Sequence, residues 1–163
     1  MRKKLTGRVK NPYSKSFEAG IENLRDEIQL ALQWNRPSIL IAIHKSKAGQ
    51  TKSQLTLEKR IHDFNRKVEH IHANDKSIDL IRRIKTTANR ENVVFFISAL
   101  GNANNNSGDE VFRLLNMQRE FFIENLIRAV FWLTKAEAEK LPHLAPDFWA
   151  FRHRTVEFAP TRD

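Results

Sequence analysis

The chain has 163 residues and no cysteine. That removes disulfides, thiolate catalysis and cysteine-based zinc sites together, and leaves packing as the source of stability. No apolar run approaches the roughly 20 residues needed to cross a bilayer. The opening "MRKKLTGRVKNPYSKSF" also lacks the apolar centre of a secretory signal. A cytoplasmic protein without a membrane partner is expected. Glycine is scarce, with five in the chain, and the scarcity matters most where a phosphate loop would need it.

That place is "HKSKAGQTKSQL", His44 to Leu55, which follows the apolar run "PSILIAI" and leads into helical periodicity. Strand, small-residue turn and helix start are the parts of a nucleotide cradle. Gly49, Lys52 and Ser53 are present, but Thr51 stands where the second glycine of GxxxxGK[ST] should precede Lys52, and Ser46 stands where the first should be. Without them the backbone cannot approach a triphosphate as the motif requires. The strand "NVVFFISAL" supplies a second test, because a hydrolytic site needs an acidic residue at its end for magnesium. It closes in Ser98, Ala99 and Leu100, with Gly101 next. Ordinary nucleotide hydrolysis is not expected, and no cofactor is assigned. A helix N-terminus still attracts anions, which makes Lys45, Lys47, Gln50, Thr51, Lys52 and Ser53 candidate anion or nucleotide contacts. A solvated basic loop is the plainer alternative.

What is present in quantity is positive charge and apolar periodicity. A net charge of +9 points to an acidic partner, whether nucleic acid, protein or membrane surface. Residues 1–16 carry Arg2, Lys3, Lys4, Arg8, Lys10 and Lys15 with no acid. They read as a basic flexible arm, either binding or merely solubilising. Residues 17–158 suffice for a single α/β domain, and 159–163 form a tail.

The first helix is expected over Ser16–Trp34, with Phe17, Ile21, Leu24, Ile28, Leu30 and Ala31 as its apolar stripe. "SILIAI" suits a strand buried on both faces. A helix from about Lys52 to Asn65 follows, with Thr51 or Ser53 as N-cap and Leu55, Leu57, Ile61 and Phe64 inward. "KVEHIHA" reads as an edge strand and "SIDLIRRIKTTA" as a helix. "NVVFFISAL" is expected as the central strand, and "EVFRLLNMQREFFIEN" as a helix after the loop "GNANNNSGD". "IRAVFWLT" gives another strand and "KAEAEKL" a short helix, after which Pro142 and Pro146 break the chain. Asp147–Phe151 forms a turn of helix before the strand "RTVEFA". Such alternation predicts an α/β, three-layer Rossmann-like or P-loop-like domain with a mainly parallel sheet of about five strands.

Other constellations carry less. His70 and His72 share one face of their strand, with His62 or Asp75 within reach in sequence, but a zinc site needs three or four converging ligands and no metal is assigned. Ser98, Ser107, His44 and Asp109 fall near strand carboxyl ends, where open sheets place ligands. No nucleophile elbow surrounds either serine, so no catalytic residue is assigned. "HLAPDFWAFRHRTVEF" offers two readings. Phe148 and Trp149 either anchor a terminal helix to the sheet or, with Phe151 and His153, stack bases. Arg152 and Arg154, together with Arg2, Lys3 and Lys4, are the candidate nucleic-acid or partner contacts.

Four stretches, "LRDEIQLALQWNRPSILIAIHKS", "VVFFISALGN", "VFRLLNMQREFFIEN" and "AVFWLTKAEAEKLPHLAPDFWAFRHRTVEF", give a resemblance over most of residues 22–158. They resemble the α/β module that stands before tetratricopeptide-repeat arrays in large bacterial proteins. Such modules look like degenerate relatives of the nucleotide-binding domains of bacterial signalling and defence proteins. The resemblance implies sensing or assembly and carries no catalytic residue across. The chain ends at Asp163 without a repeat array, so either the module recruits a partner in trans or the chain is a fragment. The functional expectation is a non-catalytic regulatory or adaptor domain that binds another protein, a tetratricopeptide-repeat or signalling protein among the candidates. A basic nucleic-acid-binding accessory protein is the alternative, and a nucleotide-binding sensor without hydrolysis the third.

Overall fold

The computed structural model describes residues 12–73, 77–101 and 108–158. Arg2, Lys3, Lys4, Asp75, Ser107 and the tail 159–163 lie outside them. In chain order the elements are α1 (Pro12–Gln33), β1 (Ser38–His44), α2 (Lys47–His62), β2 (Lys67–His72), α3 (Ser77–Lys85), a 3-10 turn (Arg90–Asn92), β3 (Val93–Ser98), α4 (Gly108–Met117), α5 (Arg119–Glu124), β4 (Arg128–Thr134), α6 (Lys135–Leu144), α7 (Pro146–Ala150) and β5 (Arg154–Glu157). The five strands form one sheet in the order β2-β3-β4-β1-β5, and every neighbouring pair is parallel. No helix among the described residues is long and apolar enough to cross a membrane.

Both faces of the sheet are covered, which is why the inner strands are apolar without alternation. Ile39, Ile41, Phe95, Ile97, Phe131 and Leu133 pack on one face against the apolar sides of α3 to α7, including Leu80, Phe112, Phe122, Leu141 and Phe148. The opposite face presents Leu40, Ala42, Val94, Phe96, Val130 and Trp132 to Ile21, Leu24 and Ile28 of α1 and to Leu57 and Ile61 of α2. Phe148 stands edge-on to both Phe122 and Phe131, and Trp149 packs beside it. The closing aromatics therefore anchor α7 to the sheet.

The structure differs from the sequence expectation at several boundaries. Helix α1 starts at Pro12, so residues 12–16 belong to it. Leu30 and Leu55, expected inside, are 41% and 59% exposed, because each lies beside its helix's buried stripe and the neighbouring turn covers the core instead. The middle strand of the five is β4, with β3 one place outward. Gln118 divides the expected single helix into α4 and α5. Pro142 lies inside α6, close enough to its end that the missing N–H costs one bond without ending the helix.

At the amino edge of the sheet Arg128 opens β4 and is 3% exposed. Its guanidinium donates to the carbonyl oxygens of Arg36 at 2.9 Å and Glu91 at 3.1 Å, and to Asn35 Oδ1 at 3.3 Å. The chain entering β1 and the turn entering β3 are thus fastened to β4 by one side chain. Burial, then the charge of Arg66, lowers its pKa from the ordinary arginine value. The three acceptors hold the cation in place all the same.

Gly20 sits mid-helix in α1, where a Cβ would come 2.6 Å from Phe158 Cε1 and 2.9 Å from Val156 Cγ1. Gly20→Ala should therefore destabilise by about 1–3 kcal/mol through overpacking, although the helix-propensity gain alone is worth about 1 kcal/mol in the other direction. Urea denaturation checks this, and a raised midpoint would show that α1 packs less closely on β5.

Candidate functional site

Only Lys45 and Ser46 separate the end of β1 from the start of α2. Ser46 remains extended, with φ −150° and ψ 155°, and its Oγ accepts a hydrogen bond from Gly49 N at 2.9 Å. Gln50 N donates to the Ser46 carbonyl at 3.0 Å and starts the helical ladder. Ser46 is the N-cap, in place of the expected Thr51 or Ser53, and the helix begins five residues before the expected Lys52. Gly49 lies buried within the helix instead of in a turn.

This early start sorts the six candidate contacts. Lys45, Lys47 and Gln50 line a cavity of about 650 Å³ at the carboxyl edge of the sheet. Thr51, Lys52 and Ser53 do not line it. Lys52 Nζ stands 4.7 Å from the centre of the Phe17 ring on α1. Ser53 is buried and donates from Oγ to the Gly49 carbonyl at 2.8 Å. Of the residues that mimic a phosphate-loop lysine and hydroxyl, Lys52 is exposed beside Phe17 and Ser53 is bonded inside the helix.

The cavity floor follows from strand register. His72 stands beside Ser98, Ser98 beside Trp132, and His44 beside Thr134. Ser98 Oγ and His72 Nδ1 are 3.2 Å apart. His44 is 5% exposed and Trp132 1% exposed; Trp132 Nε1 has no hydrogen-bond partner, and the His44 imidazole meets the Ser46 backbone without a well-formed hydrogen bond. A buried polar group left unpaired costs about 1–3 kcal/mol. Burial is the main cause that lowers the His44 pKa below 6.5; the Lys47 charge works in the same direction, and the nearby Ser46 backbone opposes both.

The facing wall belongs to α6. Thr134 Oγ1 accepts from Glu137 N at 3.1 Å while Glu137 Oε1 accepts from Thr134 N at 3.0 Å, a reciprocal capping box. Glu137 Oε2 accepts from Gly101 N at 2.9 Å. The chain leaving β3 is thereby fixed at Gly101, two residues after Ala99 turns through φ 58° and one after the buried Leu100. Trp132, Thr134, Lys135, Glu137 and Gly101 went unassigned in the sequence reading. The pattern T-x-x-E after an apolar strand, Thr134 to Glu137, is the signal that marks this wall.

Other candidates fall elsewhere. Glu58 takes His70 at 2.9 Å and His62 at 3.7 Å, while His72 faces the cavity. Among the described residues no group of three or more metal-binding side chains converges. Asp109 pairs with Lys140 at 3.2 Å. Arg152 stacks 3.9 Å over Trp149, and Arg154 pairs with Glu27 at 3.2 Å. Register places Arg154 beside Leu40, toward the amino half of β1, away from Lys45 and Lys47. The two basic groups do not form one surface.

No protein-family model matches the chain, and no curated protein does. Solved structures do. The chain is similar to the Aeropyrum pernix ORC1 protein in complex with DNA, at 13% identity and TM-score 0.53 over 89% of this chain and 45% of that one. It is similar to the Aeropyrum pernix ORC2 protein in its ADP form, at 13% identity and TM-score 0.55 over 87% and 47%. The Thermotoga maritima RuvB Holliday junction branch migration motor gives 14% identity and TM-score 0.52 over 86% and 44%. The fold is P-loop AAA+-like. At such identities the likeness concerns the fold alone, and the chain spans less than half the length of these proteins. Between β1 and α2, where P-loop folds hold phosphate, the connection here is two residues.

A histidine with a lowered folded pKa stays neutral while the unfolded chain takes up a proton. Its contribution to stability is thus full above pH 6.5 and is lost as pH falls through the folded pKa. His44→Asn should flatten the decline of stability on acidification relative to the unsubstituted chain. Denaturant midpoints across the range from about pH 7.5 to 5 check this, and parallel declines would refute it.

Proposed function

We propose that the chain is a non-catalytic regulatory or adaptor domain that engages another protein, in a cytoplasmic bacterial signalling or defence setting. The observation that carries the reading is the two-residue passage from β1 to α2. A phosphate cradle needs a run of backbone N–H groups between strand and helix, and here the helix already occupies that span. The end of β3 adds no acid for magnesium. A scaffold kept without its hydrolytic parts is suited to assembly. Leu30 on α1 and Trp34 just past its end, 41% and 63% exposed and four residues apart, offer an apolar contact of the kind that anchors protein interfaces. A tetratricopeptide-repeat or signalling protein is the partner proposed.

A second reading, nucleic-acid contact, is favoured by the net charge of +9. Arg2, Lys3, Lys4 and the exposed Lys45 and Lys47 would carry it, and such binding should weaken steeply with salt.

Purified chain with magnesium and ATP should release no phosphate above the buffer rate; turnover that rises in proportion to the chain would overturn the non-catalytic reading. Trp34→Ser combined with Leu30→Ser should lower the affinity for a partner captured from the native host by about tenfold or more, with folding unchanged. Equal affinity would remove α1 from the interface. Failure to bind DNA or RNA at about 50 mM salt would eliminate the second reading.

A further inference from the structure

Strand β5 is four residues long and lies at the edge of the sheet, where among the described strands it pairs with β1 alone. Its two halves are held differently. In the carboxyl half Val156 and the following Phe158 are buried against α1 at Gly20, and Phe158 N donates to the Ile43 carbonyl at 2.8 Å. The amino half, from Arg152 to Thr155, buries no apolar side chain. It is fastened by polar contacts instead. Arg154 meets Glu27 of α1 at 3.2 Å, and His153 takes both backbone groups of Ile39 on β1. His153 N donates to the Ile39 carbonyl at 2.7 Å, and Ile39 N donates to His153 Nδ1 at 3.0 Å. The imidazole stands where a backbone carbonyl of the neighbouring strand would ordinarily accept.

That second bond fixes the protonation state of the ring. A backbone N–H can only donate, so Nδ1 is the acceptor and the ring is neutral, with its proton on Nε2. The imidazolium has no lone pair at Nδ1, and its N–H would face the Ile39 N–H as one donor against another. The charges around the ring are Glu27 on α1, Arg36 in the turn before β1, and Arg152 and Arg154 on either side of it in the chain. The facing part of β1, Ser38 to Leu40, brings none. Because Glu27 is held by Arg154, a cation at His153 either stands among three arginines or draws Glu27 away and breaks the other fastening. Burial, the largest cause, and the Arg36 charge lower the His153 pKa from its ordinary value, while the Ile39 backbone and the Glu27 charge raise it. Of the Ile39 backbone groups it is the carbonyl that attracts a proton, and the N–H repels one. With a lowered folded pKa the closed form is complete above pH 6.5 and is lost as pH falls through the folded value.

We propose that His153 is an acid-released latch on the amino half of β5: the neutral ring closes the strand onto Ile39, and protonation opens residues 152–155 while Val156 and Phe158 stay docked. Opening frees both backbone groups of Ile39 at the sheet edge, where another strand can meet them. The latch stands whether or not a protein partner docks on α1.

Amide hydrogen exchange of the full chain, followed by NMR from about pH 7.5 to 5 and read as protection relative to the intrinsic rate at each pH, tests it. The Ile39 and His153 amides should lose about tenfold in protection, with the midpoint at which the His153 ring titrates. The Phe158 amide, at the other end of the pairing, should keep its protection. His153→Asn places Oδ1 where Nδ1 stood, an acceptor that does not titrate, and should hold both amides across the range. His153→Ala should leave the Ile39 amide weakly protected at every pH. Thermal unfolding shows whether each variant is folded. The proposal is overturned if the two amides stay protected while the ring is protonated, or if Phe158 is released at the same pH. It is also overturned if His153→Asn loses both amides in parallel with the unsubstituted chain, which would assign the effect to another group such as His44.

Discussion

Ser46 caps α2 two residues after β1 ends, and the arrangement around the cavity depends on that cap. Because its Oγ and carbonyl take the first helical N–H groups, residues 47 to 50 become helix instead of loop. Lys47 and Gln50 are consequently turned to the sheet edge, while Lys52 is carried round to Phe17. One local competition, a serine side chain against a flexible turn, thereby decides whether this scaffold has a phosphate loop or a solid helix start.

The sheet was legible because its inner strands are unmistakable. "SILIAI", "VVFFIS" and "RAVFWLT" are buried on both faces and read as such without an alignment. The edge strand β2 was legible as an edge from its alternating histidines, of which His70 and His72 are exposed. The start of α2 was not legible. Its buried face begins with Gly49, Gln50 and Ser53 before Leu57 and Ile61, so its first half shows no apolar period, and a glycine there looks like a turn. Three nearby hydroxyl residues also compete as caps, and propensity alone does not rank Ser46 above Thr51 and Ser53. The cavity was half legible: the basic side came from the first loop, whereas Trp132 looked like core and Glu137 like a surface helix residue. Both judgements are locally correct, and only register brings the two side chains to one hollow.

Both edges of the sheet enclose polar groups. At the amino edge Arg128 is enclosed and satisfied by three acceptors, an arrangement that fastens segments together. At the carboxyl edge His44 and Trp132 are enclosed without a well-formed hydrogen bond, beside Ala99 in a left-handed conformation that an L side chain seldom adopts. The amino edge has irregular places of its own: Asn35, Asn65, Asn89 and Leu126 take positive φ there, and Arg66 Nε is buried without a partner.

Glu137 shows how misleading a residue type can be when its bonds are not counted. A carboxylate in a basic pocket invites assignment as a general base. Here one oxygen closes the helix to which it belongs and the other grips a peptide group 36 positions earlier in the chain. Both oxygens are committed to holding backbone in place. The side chain is a fastener that sets the mouth of the cavity, and it moves only if the strand exit and the helix start move with it.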